Sequence, residues 1–299
     1  MDILLFGSSG QVGWELQRSL APLGNVIAIN SHSEKYCGDF TNPQGIAETI
    51  RIIKPDVIVN AAAYTAVDKA ETERQSAALL NATTVKSIAI EAEAVGAWLI
   101  HYSTDYVFPG SGENFWTEKD VTSPLNFYGE SKLAGETAIQ EICTKYLIFR
   151  TSWVYSGKGN NFAKTMLNLA KAREEISVIN DQFGAPTGAE LLADCTALAI
   201  TSAIKNPALA GLYHLVSSGT TTWFDYANLV IEQAKLAGVS LAINKVNPVA
   251  SSAYPTAARR PLNSRLDTTK FKHAFSLNLP NWESGVKRML DELFASSRN

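Results

Sequence analysis

Tyr128 and Lys132 stand four residues apart in Tyr128-Gly129-Glu130-Ser131-Lys132. On a helix this spacing puts a phenol and an ammonium on one face, within reach of a shared ligand. A free phenol with a pKa of about 10 is a reluctant acid near neutrality. A neighbouring cation favours its ionised form, so Lys132 is expected to tune Tyr128. Upstream, Ser103-Thr104-Asp105-Tyr106-Val107-Phe108 follows a short apolar run, and the Thr104 hydroxyl is placed to hold a carbonyl oxygen beside that phenol. The chemistry such a set supports is proton delivery to a carbonyl oxygen.

A second constellation opens the chain. Gly7-Ser8-Ser9-Gly10-Gln11-Val12-Gly13 follows the apolar run Ile3 to Phe6 and precedes a helix-compatible run from Trp14. A strand, a glycine turn and a helix N-terminus in this order bring backbone N–H groups close to a diphosphate. The expected ligand is a dinucleotide, NADPH or NADH, gripped at Gly7, Gly10, Gln11, Val12 and Gly13. Its later contacts then have predictable places. Asn30, ending the next apolar run, faces the adenosine ribose. Asp39-Phe40 flank the adenine, although Asp39 reads equally well as a surface turn acid. Ala62, Ala63 and Thr65, in Asn60-Ala61-Ala62-Ala63-Tyr64-Thr65, are small where backbone passes the cofactor. Lys132 then has a second task, bonding the nicotinamide ribose, and the oxidised ring adds a positive charge beside Tyr128.

These residues need a scaffold that gathers strand ends. Apolar runs at Ile3 to Phe6, Val26 to Ile29, Val57 to Val59, Trp98 to Tyr102 and Leu147 to Phe149 alternate with helical spacing over Trp14 to Leu20, Ile46 to Ile53, Ala77 to Ala94 and Lys132 to Ile142. This rhythm predicts an α/β fold, a doubly wound parallel sheet of the Rossmann type. Beyond Arg150 the pattern is less regular and rich in Gly, Pro, Asn and Ser. We expect residues 1–150 to bind the dinucleotide and 151–299 to form a smaller substrate lobe, with Leu212 to Val216 returning to the first sheet.

Bulk properties exclude other classes. A net charge of -3 over 299 residues gives no cationic field for nucleic acid. The three cysteines, Cys37, Cys143 and Cys195, are scattered, which argues against a disulfide framework. Neither a signal peptide nor a membrane span is evident, and a cytoplasmic location is expected. The four histidines, at 32, 101, 214 and 273, lack ligand spacing and read as structural. Trp153, just after a strand end, is placed to stack on a ligand. Arg259 and Arg260 either grip a diphosphate or form a solvated basic pair.

Taken in order, these residues resemble the extended short-chain dehydrogenase/reductase family, whose phosphate loop has this Gly-x-x-Gly-x-x-Gly form. Val178-Ile179-Asn180-Asp181-Gln182-Phe183-Gly184-Ala185-Pro186-Thr187-Gly188, Arg150-Thr151-Ser152-Trp153-Val154-Tyr155 and Arg260-Pro261-Leu262-Asn263-Ser264 are similar to its branch acting on dTDP-linked 4-keto sugars. The resemblance runs nearly end to end. It implies hydride transfer from NAD(P)H to C4 of dTDP-4-dehydro-6-deoxy-L-mannose, with Tyr128 as proton donor. Residues matching Thr104, Asp105 and Trp153 contact the sugar nucleotide, with Tyr106 beside them. Tyr106 stands where the related dehydratases carry an acid-base Glu, which favours plain reduction over loss of water. The resemblance further implies a homodimer with Mg²⁺ held by Glu15, Glu190 and Glu292, positions that otherwise read as solvated helix faces. Two other readings stay open: a reductase of another 4-keto-6-deoxy nucleotide sugar, and a non-catalytic regulatory subunit like that of methionine adenosyltransferase.

Overall fold

The computed structural model describes residues 1–296. Strands β1 (Asp2–Phe6), β2 (Asn25–Ile29), β3 (Val57–Asn60), β4 (Trp98–Thr104) and β5 (Tyr146–Thr151) pair in parallel. After a separate strand β6 (Glu175–Ile179), strand β7 (Gly211–His214) returns and pairs in parallel with β5. The resulting six-stranded sheet runs β7-β5-β4-β3-β1-β2. Chain direction across the sheet reverses at β1, so loops after β1 and β3 diverge and leave a crevice at the strand C-termini.

The strands are nearly all apolar because both faces are covered. Ile3, Leu5, Val57, Val59, Leu147 and Phe149 face one cluster, where Leu16 and Leu20 of helix α1 (Gln11–Leu20) join Leu192 and Ile200. Leu4, Phe6, Ile58, Leu99 and Ile148 face the other, covered by helices α2 (Pro43–Ile53) and α3 (Thr84–Val95). Helix α4 (Phe127–Ile142) carries Tyr128 and Lys132, as their spacing predicts. The run expected as one helix over 77–94 is instead Arg74–Ala78, a π-turn over Leu79–Thr83, and then α3. A third cluster holds Tyr155, Val178, Tyr226, Val230, Trp282 and Val286, beside strands β6 and β8 (Lys245–Val249), which pair in parallel. Helix α5 (Ala189–Lys205) leaves this region and packs against α1. The three cysteines are free, and among the described residues no helix is long and apolar enough to cross a membrane.

Candidate active site

The glycine loop leaves β1 with Gly7 at φ +80°, a left-handed conformation that side chains resist. A Cβ on Gly7 would also stand 2.6 Å from the Ala62 nitrogen, so the loop lies against the chain leaving β3. The Gly10 N–H donates to the Gly7 carbonyl at 3.1 Å and closes the turn. Gly10 caps α1 without a side-chain bond, and the first turn holds no acid, so the helix N-terminus keeps its N–H groups for an anion. This bare backbone cradle fits the diphosphate of a dinucleotide. Gln11 and Val12 are half-buried beside it. Asn161 donates to Gln11 Oε1 at 3.3 Å, and Lys158 lies 3.3 Å from the Trp14 ring centre. The segment 156–161 therefore reaches back to the phosphate loop, a relation that sequence reading missed.

At the adenosine end the residues behave differently. Asn30 accepts from the His32 N–H at 2.8 Å, while the Ser33 hydroxyl accepts from the Asn30 N–H at 3.0 Å, making a tight polar turn after β2. Asp39 caps its own turn, accepting from the Thr41 N–H and hydroxyl. The Phe40 ring is buried, edge-on to Phe6 at 5.6 Å, so any contact with an adenine falls to its backbone. The Phe40 carbonyl accepts from the buried Thr84 hydroxyl. Ala62 accepts a positional restraint through its N–H, which donates to Asn60 at 3.0 Å, while Ala63 is half-buried and Thr65 exposed.

Thr104 ends β4, and its hydroxyl donates to Asp105 at 3.1 Å while accepting from the Tyr106 N–H. Burial pushes the Tyr128 phenol up to about 12, the Asp105 charge adding to this and a hydrogen bond with Thr104 opposing it. Burial thus keeps Tyr128 a phenol. Lys132 is engaged on β4. Its buried Nζ donates to the Tyr102 carbonyl at 2.6 Å and lies 3.2 Å from His101 Nε2. Burial brings the Lys132 ammonium down to about 8, with Glu136 opposing. Burial also pushes Asp105 up to about 6, against the pull of hydrogen bonds from Ser264 and Thr104. Tyr106 meets the Tyr128 ring edge-on at 5.6 Å.

Several residues fix the catalytic helix. Asn126 caps it by accepting from the Gly129 N–H and donates to the Arg259 carbonyl at 2.8 Å. Glycine is required at 129 and 135, where a Cβ would stand 2.3 Å from the carbonyl oxygens of Tyr106 and Asn81 respectively. Asn81, in the π-turn, accepts from the Tyr64 N–H and donates to the Tyr64 carbonyl and to Ser131. Its buried amide ties the loop after β3 to α4, and the extra residue in the helix is what turns it inward. None of these links has a local sequence signal.

On the substrate side, Trp153 sits at φ +48° and stacks on Trp223 at 3.7 Å. Such backbone strain concentrates at functional sites. Arg260 forms an ion pair with Asp68 at 2.7 Å, whereas the Arg259 side chain is exposed. Ser103, Thr151 and Ser152 bury hydroxyls without hydrogen-bond partners near the strand ends. The expected metal ligands need correction. Glu15, Glu190 and Glu292 come into one electrostatic neighbourhood, but Arg288 lies 3.9 Å from Glu190 and 3.2 Å from Glu292, and Arg18 lies 3.6 Å from Glu15. Arginines already balance these acids, and among the described residues no group of three could hold a metal ion.

A parallel doubly wound sheet with a glycine cradle after its first strand and Thr104, Tyr128 and Lys132 beyond its fourth defines a reductase of the extended short-chain type. Comparison with known proteins narrows this. Residues 1–295 match the model of the RmlD substrate binding domain. A dTDP-4-dehydrorhamnose reductase of Escherichia coli K12 is 69% identical over 297 residues, covering 99% of both chains. One from Burkholderia thailandensis is 43% identical, covering 99% of this chain and all of the relative. A solved dTDP-4-dehydrorhamnose reductase from Bacillus anthracis, in complex with NADP, superposes with a TM-score of 0.86 at 36% identity, covering 97% of this chain and 99% of the other. The chain belongs to the dTDP-4-dehydrorhamnose reductase family, as the sequence resemblance implied.

Proposed function

We propose that this chain reduces the 4-keto group of dTDP-4-dehydro-6-deoxy-L-mannose to give dTDP-L-rhamnose, using NADPH or NADH. The observation that carries this reading is the end-to-end likeness, at 69% identity, to a protein of that activity. When bound, the cofactor supplies the hydride that adds to the carbonyl carbon.

The chain's own residues do the rest. Backbone from Gly7 through Gly13 holds the diphosphate, and Asn30 meets the adenosine ribose. Hydroxyls of Thr104 and Tyr128 hold the carbonyl oxygen, and Tyr128 gives its proton as negative charge develops there. The raised pKa of about 12 suits a group that must arrive protonated. Lys132 bonds the nicotinamide ribose and orients the ring. Asp105, Tyr106 and Trp153 position the sugar nucleotide, and Arg259 and Arg260 lie toward its diphosphate. With Tyr106 where a dehydratase has Glu, the chain lacks that acid-base carboxyl, which favours reduction over loss of water. No step needs Mg²⁺.

The division into a cofactor unit and a substrate lobe after residue 150, the homodimer and the cytoplasmic location belong to the same proposal. Free cysteines suit a reducing compartment. Light scattering of the purified chain tests the dimer. For the activity, purified chain is mixed with NADPH and the keto sugar nucleotide, and the nicotinamide absorbance is followed. Oxidation with formation of dTDP-L-rhamnose is expected. Turnover confined to another 4-keto-6-deoxy nucleotide sugar would overturn the substrate, and none with any of them would point to a binding subunit.

A further inference from the structure

His101 is buried in β4 between two polar side chains. Its Nδ1 lies 3.0 Å from Asn60 Nδ2, and its Nε2 lies 3.2 Å from Lys132 Nζ. The orientation of the Asn60 amide is set independently, because its Oδ1 accepts from the Ala62 N–H at 3.0 Å. Asn60 therefore presents an N–H to His101, and Nδ1 must be the bare, accepting nitrogen. A neutral imidazole then carries its proton on Nε2, facing Lys132. Burial above all keeps His101 neutral, well below its usual range. An ammonium opposite Nε2–H would set donor against donor in a buried site, where an unmade hydrogen bond is costly. A neutral amine accepts that proton and still donates to the Tyr102 carbonyl.

We propose that His101 is a positioning residue for the reaction: fixed by Asn60 as the Nε2–H tautomer, it turns a donor toward Lys132 and favours that side chain's neutral amine over its ammonium. Other charged groups near Lys132 do not replace this control. Glu136 on the same helix is engaged by Arg150 from β5 through bonds at 2.9 and 2.6 Å. Asp105, at the end of β4, acts on Tyr128. A ring whose place in an apolar strand reads as structural thus bears on the proton balance of Lys132. The functional meaning rests on the proposed role of Lys132 beside Tyr128, but the proton positions do not.

The test is nitrogen NMR of the full chain with ¹⁵N-labelled histidine, signals being assigned by single substitutions at His32, His214 and His273. Proton-bearing Nε2 and bare Nδ1 at His101 are expected. The opposite tautomer, or an imidazolium at neutral pH, overturns the proposal without needing any variant at the site. In Asn60→Asp the carboxylate accepts from both Ala62 and His101, so the proton moves to Nδ1 and Nε2 is freed to accept from an ammonium. The tautomer should invert, and the ionisation seen in the pH profile of kcat/KM should rise by about one unit or more. Inversion without any change of profile would show that His101 does not govern Lys132, and an Nε2–H signal retained in that variant would show that Asn60 does not set the tautomer.

Discussion

A Cβ on Gly13 would stand 2.0 Å from the carbonyl oxygen of Gly7, whereas one on Gly10 would stand 3.4 Å from the same atom. The first glycine of α1 thus packs directly on the strand-to-helix turn, and the backbone there cannot yield without opening the cradle. Gly13→Ala should weaken NADPH binding at least about tenfold, a loss of roughly 1.4 kcal/mol. Gly10→Ala should cost less. Fluorescence titration of NADPH compares them, and equal affinities would show that the close approach does not shape the site.

Tyr128→Phe keeps the ring against Tyr106 and removes only the proton donor. Turnover should fall by about two or more orders of magnitude with NADPH affinity almost unchanged. Thr104→Val should lose less, since it deletes a hydrogen bond to the substrate oxygen rather than the proton source. Steady-state kinetics beside a binding titration separates the two effects, and near-normal turnover in Tyr128→Phe would falsify the assignment.

Asp105 links the site to stability. Its folded pKa, about 6, lies above the ordinary 3.8, so the folded chain holds this proton more tightly than the unfolded chain does. Its contribution is most favourable below pH 3.8 and is lost as pH rises toward 6, leaving the buried charge a burden at neutrality. Asp105→Asn should therefore stabilise the chain at pH 7 by on the order of 2 kcal/mol and lose that gain near pH 4. Urea unfolding at both values measures it. Equal stability at neutrality would mean that the carboxylate is better solvated than its surroundings imply.

The turn after β2 is expected to set cofactor choice. Asn30 and Ser33 bond within the turn and offer neither an acid to repel a 2′-phosphate nor an arginine to seize it. Preference should stay within about one or two orders of magnitude, tilted to NADPH. Comparing kcat/KM for both cofactors decides this, and a thousandfold bias would place the phosphate reader elsewhere. Asn30→Asp should move the preference toward NADH.

Much of this was open to reading from sequence because its determinants are local. A glycine turn after an apolar run, and a tyrosine and lysine on one helical face, are patterns of neighbouring residues. What escaped depends on contacts between distant ones. Asp68 meets Arg260 across 192 positions, and Asn161 meets Gln11 across 150. His101 looked structural because a lone histidine in an apolar strand carries no spacing signal; only strand register brings it opposite Asn60. Phe40 differs in kind, since adjacency to Asp39 does not reveal that its own hydrophobicity sends its ring inward.

The return of β7 to the edge of β5 also dictates a schedule. While the ribosome is still extending the chain, β5 emerges as a bare sheet edge, and Leu16 and Leu20 of α1 wait for Leu192, nearly 200 residues after the first strand begins. A nascent or truncated chain ending near residue 150 would expose both an unpaired strand and an uncovered apolar face, the combination that drives aggregation. Residues 1–150 are therefore not expected to fold by themselves, and expressing them alone should yield insoluble material until residues through 214 are restored.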